Sequence, residues 1–71
     1  MVDSKALRIK MLESGCTAVE LAAVCSISTT ALYRRLQNKV AFRVPEMLAV
    51  TRRLSLSNTE RDEIFFAQKV S

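Results

Sequence analysis

The side chains best suited to chemistry in this chain are hydroxyls and an arginine gathered in one short stretch. Thr29 and Thr30 are followed by Tyr33 and Arg34, so one helical turn would bring the four side chains to one side. Hydroxyls can donate to or accept from any base, and an arginine fork matches guanine O6 and N7. We predict base-edge contacts for these four residues, with Arg34 equally able to bind phosphate. The alternatives are that the threonines only cap a helix and that Tyr33 is a structural ring.

Residues for catalysis or for metal binding are sparse. The sequence has no His and one Gly, and Cys16 and Cys25 lie nine positions apart without a Cys-x-x-Cys spacing. A metal site would lack ligands, and no glycine-rich phosphate loop can form. We therefore predict no enzyme, no catalytic residue, no cofactor and no metal ion. Both cysteines are interpreted as small buried apolar residues, and the alternative is a disulfide or a redox pair.

The charge of the chain is positive and unevenly placed. Eleven Lys and Arg against seven Asp and Glu give a net charge of +4 in 71 residues. Between Arg34 and Arg53 there are six cations and one anion, Glu46, whereas carboxylates collect at residues 60–63. A basic central part of the sequence favours a polyanionic partner. A basic surface that is merely solvated would contain the same number of cations.

Apolar spacing and capping residues predict five short helices and an all-α fold. The first helix is expected over about 4–14, with Leu7 and Met11 inward and Gly15 as a left-handed stop. Thr17-Ala-Val-Glu20 is a capping box that starts the second helix. Residues expected to point inward from the second helix are Leu21, Ala22 and Cys25.

Ser28 is a suitable N-cap for a third helix that runs to about Gln37. Its inward residues are expected to be Ala31, Leu32 and Leu36. A loop over 38–43 follows, with Asn38 left-handed. Phe42 and Val44 are expected to anchor this loop to the core. Pro45 suits the first turn of the fourth helix, whose buried stripe is predicted as Met47, Val50 and Leu54, extended by Leu48. Ser57-Asn-Thr-Glu60 opens the fifth helix, whose apolar residues are Ile64, Phe65 and, as a further candidate, Phe66.

The second helix, a tight turn and the third helix form the arrangement of a helix-turn-helix unit over about 17–37. In such a unit the third helix, over 28–37, would enter the major groove. Phosphate contacts are predicted at helix N-termini and beside this helix, at Thr17, Ser28, Arg35, Lys39 and Arg43.

From about Leu7 to Phe66 the chain resembles the lambda-repressor-like helix-turn-helix domains of the xenobiotic-response-element and Cro/repressor family, in the small form of phages and integrative elements of Gram-positive bacteria. The matching stretches are Thr17-Ala-Val-Glu-Leu-Ala22, Ile27-Ser28, Ala31-Leu-Tyr-Arg34, Phe42-Arg-Val-Pro-Glu46, Leu54-Ser-Leu-Ser57 and Glu63-Ile-Phe-Phe66. The resemblance implies a left-handed Ser26, where the family has Gly. It implies operator contacts by Ser28, Thr29, Thr30, Tyr33 and Arg34, and backbone contacts by Thr17, Lys39 and Arg43.

The expected function is sequence-specific DNA binding by a transcriptional regulator of the Cro or repressor type. A homodimer would bind a pseudo-palindrome with half-sites about 10 bp apart. The alternatives are a helical protein-interaction module, such as an antirepressor or antitoxin-like partner, and an architectural or recombination-accessory DNA binder. Dimer contacts are expected from Phe66 and Val70, or from Ile9 and Leu12.

One domain over 1–71, with residues 68–71 frayed, is the expected organisation. Apolar runs fall far short of the roughly 20 residues that a bilayer requires, and no signal peptide is recognisable. We therefore expect a cytoplasmic, nucleoid-associated protein with no membrane contact and no small-molecule substrate.

Overall fold

A computed structural model describes residues 1–67, and all regular elements within that range are helices. In chain order they are α1 (Ser4–Glu13), α2 (Ala18–Val24), α3 (Thr29–Leu36), α4 (Val44–Arg53) and α5 (Asn58–Phe65). The predicted all-α class with five helices is confirmed, and α1 and α3 each end one residue earlier than expected. The predicted fraying of residues 68–71 and the predicted dimer contact at Val70 fall on residues outside the described range. Within residues 1–67, no helix has the length and apolar character needed to cross a membrane.

Most of the helices begin at a side chain that accepts a hydrogen bond from a free backbone amide. These N-cap residues are Asp3, Thr17, Ser28 and Ser57. The capping box at Ser57 and Glu60 forms as predicted. At α2 the Thr17 hydroxyl accepts from the Glu20 amide at 3.2 Å. The Glu20 carboxylate instead pairs with Arg53 Nη2 at 3.0 Å, which ties α2 to α4.

The first four helices end in the same way, each followed by a residue with positive φ. These residues are Gly15, Ser26, Asn38 and Ser55, with φ of 64°, 59°, 59° and 53°. After α2, for example, the Ser26 amide donates to Ala23 O at 3.1 Å and the Ile27 amide to Ala22 O at 3.0 Å. This pair of bonds is the Schellman motif, which satisfies carbonyls at a helix end. The left-handed Gly15, Ser26 and Asn38 were expected, whereas Ser55 was missed.

Leucines and a valine from four helices form the centre of the core. Leu7, Leu21, Leu32 and Val50 are fully buried. Cys16 and Cys25 are buried and unpaired to each other, as predicted. Burial raises the pKa of the Cys25 thiol to about 11, so this thiol stays protonated at neutral pH and packs as a small apolar group.

The predicted buried stripe of α4 is confirmed, because Val50 and Leu54 are buried and Met47 packs against the core. Two expected additions to it are wrong: Val44 is 63% exposed and does not anchor the preceding loop, and Leu48 is 49% exposed and does not extend the stripe. The reason is that Glu46 takes an inward position one turn before Val50, which turns the other side of α4 to solvent. Phe42 does reach the core, where its ring packs edge-on against Phe65 with centroids 5.2 Å apart.

The N-terminal residues are tied to the ends of α3 and α5. Val2 is buried, and the Asp3 amide donates to Ile64 O at 2.7 Å. The Ser4 hydroxyl donates to the carbonyl of Leu36. Further along α1, Lys10 forms an ion pair with Glu60 of α5. These contacts fix α1 against α5.

Replacement of a left-handed serine by glycine should stabilise the protein. Outside glycine this conformation costs roughly 1–2 kcal/mol, partly offset by the greater freedom of glycine in the unfolded chain. We expect Ser26→Gly and Ser55→Gly each to raise the free energy of unfolding by about 0.5–1 kcal/mol, measured by urea denaturation. Gly15→Ala, where a new Cβ meets no atom within 4 Å, should lower it through backbone strain alone. An unchanged midpoint in all three variants would contradict this account.

The ion pair between Lys10 and Glu60 should make stability depend on acid pH. The hydrogen bonds from Lys10 and from the Ser57 amide lower the pKa of Glu60 from 4.5 to about 2. Because the folded pKa is the lower one, the stabilisation is present above pH 4.5 and is lost as the pH falls towards 2. Glu60→Gln keeps the cap, and we expect it to flatten the dependence of the melting temperature on pH across this window. Glu63→Gln, on the same helix, is the control and should keep the original slope.

Candidate nucleic-acid interface

Helix α3 is divided into a buried side and a polar side. It follows α2 after the turn over 25–28, and the two helices pack against each other. Leu32 and Leu36 are buried, while Thr30 and Arg34, one turn apart, are exposed. The outward side chains are therefore the polar ones.

The four residues predicted to contact bases lie on this helix with their side chains at least partly accessible. Thr30 and Arg34 are exposed, Tyr33 is 46% exposed, and Thr29 is half-buried at the first helical position. The N-cap of α3 is Ser28, whose hydroxyl accepts from the Ala31 amide at 3.0 Å. Because Ser28 supplies the cap, Thr29 and Thr30 are not needed for that purpose.

Four of the five residues predicted to contact phosphate are exposed. Thr17 and Ser28 are the N-caps of the two packed helices, α2 and α3. Lys39 and Arg43 stand at either end of the segment that joins α3 to α4. Lys39 directly follows the left-handed Asn38, and Arg43 directly precedes α4. Both cations thus lie on the segment between α3 and α4.

The prediction that Arg35 binds phosphate is wrong, because its side chain points inward. Arg35 and Glu46 are only 8% and 6% exposed. Arg35 Nε lies 2.7 Å from Glu46 Oε1, and Nη2 lies 3.1 Å from Oε2, so the pair is bidentate. Nη1 donates to the carbonyl of Ala31 at 3.2 Å. A guanidinium that is buried and paired in this way is not available to a phosphate.

Glu46 makes several contacts at the junction of α3 and α4. Its Oε1 also accepts from the Arg43 amide at 3.0 Å, which completes the start of α4. Burial alone would raise the pKa of Glu46, but the bonds from Arg35 and from the Arg43 amide outweigh it and hold the pKa below its usual range. Cys25 Sγ lies 3.7 Å from the Glu46 carbonyl. The carboxylate therefore stays charged and binds α3 to α4.

Sequence reasoning missed Glu46 as a structural residue, although one signal pointed to it. Glu46 is the only anion between Arg34 and Arg53. A single carboxylate among six cations is favoured to pair with one of them. The sequence did not identify Arg35 as that partner.

Asn38 fixes the segment that carries Lys39. Asn38 Oδ1 accepts from the Val2 amide at 2.8 Å, and Nδ2 donates to the Val2 carbonyl at 3.1 Å. One side chain thus pairs with both backbone groups of a residue 36 positions away. The same residue holds the left-handed end of α3, so the path of the chain after α3 is defined by Asn38.

Metal ligands are not gathered anywhere in the described range. Within residues 1–67, no three His, Cys, Asp or Glu side chains lie close enough together to hold an ion. Every buried side-chain nitrogen or oxygen in that range has a hydrogen-bond partner. The polar groups inside the protein are therefore engaged with one another.

Similarity to known proteins gives no further assignment. No protein-family model matches the chain, and comparisons with curated proteins and with solved structures found no significant match. The likeness to repressor-type helix-turn-helix domains accordingly stays a prediction from sequence stretches.

Removal of one partner of the buried ion pair should destabilise the protein strongly. Glu46→Gln leaves the Arg35 charge buried without its counterion, and the expected cost is about 3–5 kcal/mol in the free energy of unfolding. The double variant Arg35→Met/Glu46→Leu should recover most of that loss, because apolar residues of similar volume replace the pair. Arg34→Ala, at the adjacent exposed position, should change stability by less than about 0.5 kcal/mol. Equal midpoints for Glu46→Gln and Arg34→Ala in urea would refute a structural role for the pair.

Proposed function

We propose that the protein is a sequence-specific DNA-binding regulator of the repressor type, in which α3 enters the major groove. The observation that carries the proposal is the division of α3 into a buried apolar side and an accessible side with Thr30, Tyr33 and Arg34. An α-helix fits the major groove of B-form DNA, where side chains near the start of the helix reach base edges.

The surroundings of α3 support the same proposal. Exposed Lys39 and Arg43 follow the helix and would meet phosphates on the groove wall. Ser28 presents the N-terminus of α3, where free amides and the helix dipole attract an anion. In this proposal Thr29, Thr30, Tyr33 and Arg34 contact bases, and Thr17, Ser28, Lys39 and Arg43 contact the backbone. No catalytic activity is assigned.

The binding partner in this proposal is a pseudo-palindromic operator. A single small helix offers few base contacts, so two copies on two half-sites are the usual way to reach specific affinity. Half-sites about 10 bp apart would place both copies on one face of the duplex.

Selection of bound fragments from a random DNA pool tests the proposal directly. We expect a two-fold motif to be enriched, with a binding constant that falls steeply as salt rises. The logarithmic slope should be about 0.9 for each neutralised phosphate. Enrichment without a motif would favour an architectural DNA binder. No binding at any salt concentration would favour a protein-interaction module and overturn the proposal.

Single substitutions should separate base reading from phosphate binding. Arg34→Ala and Thr30→Ala should weaken binding to the selected motif more than to random DNA, by about 1–3 kcal/mol for a lost bidentate arginine contact. Lys39→Ala and Arg43→Ala should weaken binding to both DNAs alike and reduce the salt slope by about 1 each.

Arg8→Ala is the matched control for these substitutions, because it removes the same charge from an exposed position on α1. We expect it to leave both the affinity and the salt slope nearly unchanged. Fluorescence anisotropy with labelled duplexes measures all five variants. Equal losses for Arg34→Ala on the motif and on random DNA would contradict direct readout.

A further inference from the structure

Helix α1 carries an open groove on its exposed side. Lys5, Arg8, Ile9 and Leu12 are all exposed, and together with Ser4 they line this groove. Leu12 is 83% exposed and Ile9, three positions earlier, is 49% exposed. Two large aliphatic side chains thus meet solvent side by side, and exposed apolar groups gathered at one place mark sites of association.

The groove has the shape that helix packing requires. Residues four apart on a helix form ridges along its surface, and a ridge of a second helix packs into the groove between two of them. Ser4, Arg8 and Leu12 form one such row on α1, and Lys5 and Ile9 form the next. The partner that fits between these two rows is therefore another helix.

The positive charge of the groove is not balanced by the rest of the protein. Within the described part of the chain, neither Lys5 nor Arg8 forms an ion pair. The remaining lysine of α1, Lys10, is paired with both Glu13 and Glu60. No carboxylate is found among the residues that line the groove. Two cations are therefore available beside the two aliphatic side chains.

Charge and apolar surface are also separated along α1. In each row the cation lies towards the N-terminus of the helix and the aliphatic side chain lies one turn later: Lys5 precedes Ile9, and Arg8 precedes Leu12. A complementary helix therefore has carboxylates at one end of its contact surface and leucine or isoleucine side chains at the other.

Other occupants match only half of this surface. A second copy of the chain would bring the same two cations and no anion, and burying charges without partners is costly. A DNA backbone would pair with Lys5 and Arg8, but its phosphates offer no apolar surface to Ile9 and Leu12. An acidic amphipathic helix meets both requirements.

We propose that this surface, lined by Lys5, Arg8, Ile9 and Leu12 and called here the α1 groove, binds an acidic amphipathic helix of another protein. The carboxylates of that helix pair with the two cations, and its aliphatic side chains cover Ile9 and Leu12. The contact uses none of the residues assigned to DNA, so the inference goes beyond the proposed function and does not depend on it. Few residues take part, which places the complex in the weak and transient class.

An NMR titration of the ¹⁵N-labelled full chain tests the proposal. The probe is a synthetic peptide longer than about 15 residues, so that it can form a helix, with leucines spaced three and four apart and glutamates beside them. We expect amide shift changes confined to α1, with a dissociation constant of about 0.1–1 mM. The same peptide with Gln in place of every Glu should bind at least about tenfold more weakly.

Charge reversal tests whether the cations of the α1 groove select the peptide. Lys5→Glu and Arg8→Glu should each raise the dissociation constant of the acidic peptide at least about tenfold. The double variant should in turn bind a peptide with Lys in place of Glu, which the wild type does not bind. This exchange of preference is a result that mere loss of folding cannot produce. Leu12→Glu should also weaken the acidic peptide, by placing a like charge against it.

Matched controls lie on α4. Arg52→Glu makes the same charge reversal at an exposed position, and Leu48→Glu makes the same replacement at a 49% exposed leucine. We expect both to keep the dissociation constant within about twofold of the wild type, since neither lies in the α1 groove. Circular dichroism of each variant checks that the fold is kept.

Four results would overturn the inference. They are no shift changes at millimolar peptide, shift changes on α3 and residues 38–43 instead of α1, α1 shifts that depend on protein concentration without peptide, and α1 binding to anionic lipid vesicles without binding to the peptide. Peptide binding at α1 by a protein that binds no DNA would leave this inference standing and remove the proposed function. DNA binding by a protein whose α1 ignores the peptide would have the opposite meaning.

Discussion

The arrangement around α3 depends on the buried ion pair between Arg35 and Glu46. The bidentate geometry joins α3 to α4. Both groups are buried away from water. Each polar atom of the pair must therefore keep a hydrogen-bond partner within the protein. The side of α3 that faces the core is thereby determined. The exposure of Thr30 and Arg34 follows from it, since they lie on the other side of the same helix.

Local signals in the sequence were sufficient for the helices and their ends. Capping residues such as Ser28 and Ser57, and stop residues such as Gly15 and Asn38, act on the backbone within a few positions. Their effect is therefore readable from the neighbouring residues alone. Ser55 shows the limit, because serine carries no preference for the left-handed conformation and adopts it only when the surrounding packing requires it.

Contacts between distant residues were the part that the sequence could not supply. An arginine near a helix end reads as a phosphate ligand until its partner is known, and the partner of Arg35 lies eleven positions away on another helix. The same carboxylate turned Val44 and Leu48 to solvent, although apolar spacing had placed them inside. For the candidate site, helical period placed Thr30, Tyr33 and Arg34 correctly on one accessible side, because those three belong to a single helix.

The segment after α3 is held at both of its ends, and this bears on how the candidate interface could work. Asn38 is fixed by the backbone of Val2, and the Arg43 amide is fixed by Glu46. Between them, the ring of Phe42 packs on Phe65. A cation on a pinned segment loses less conformational entropy on binding than one on a free loop. Lys39 and Arg43 would therefore contribute more to affinity here than two mobile cations of equal charge.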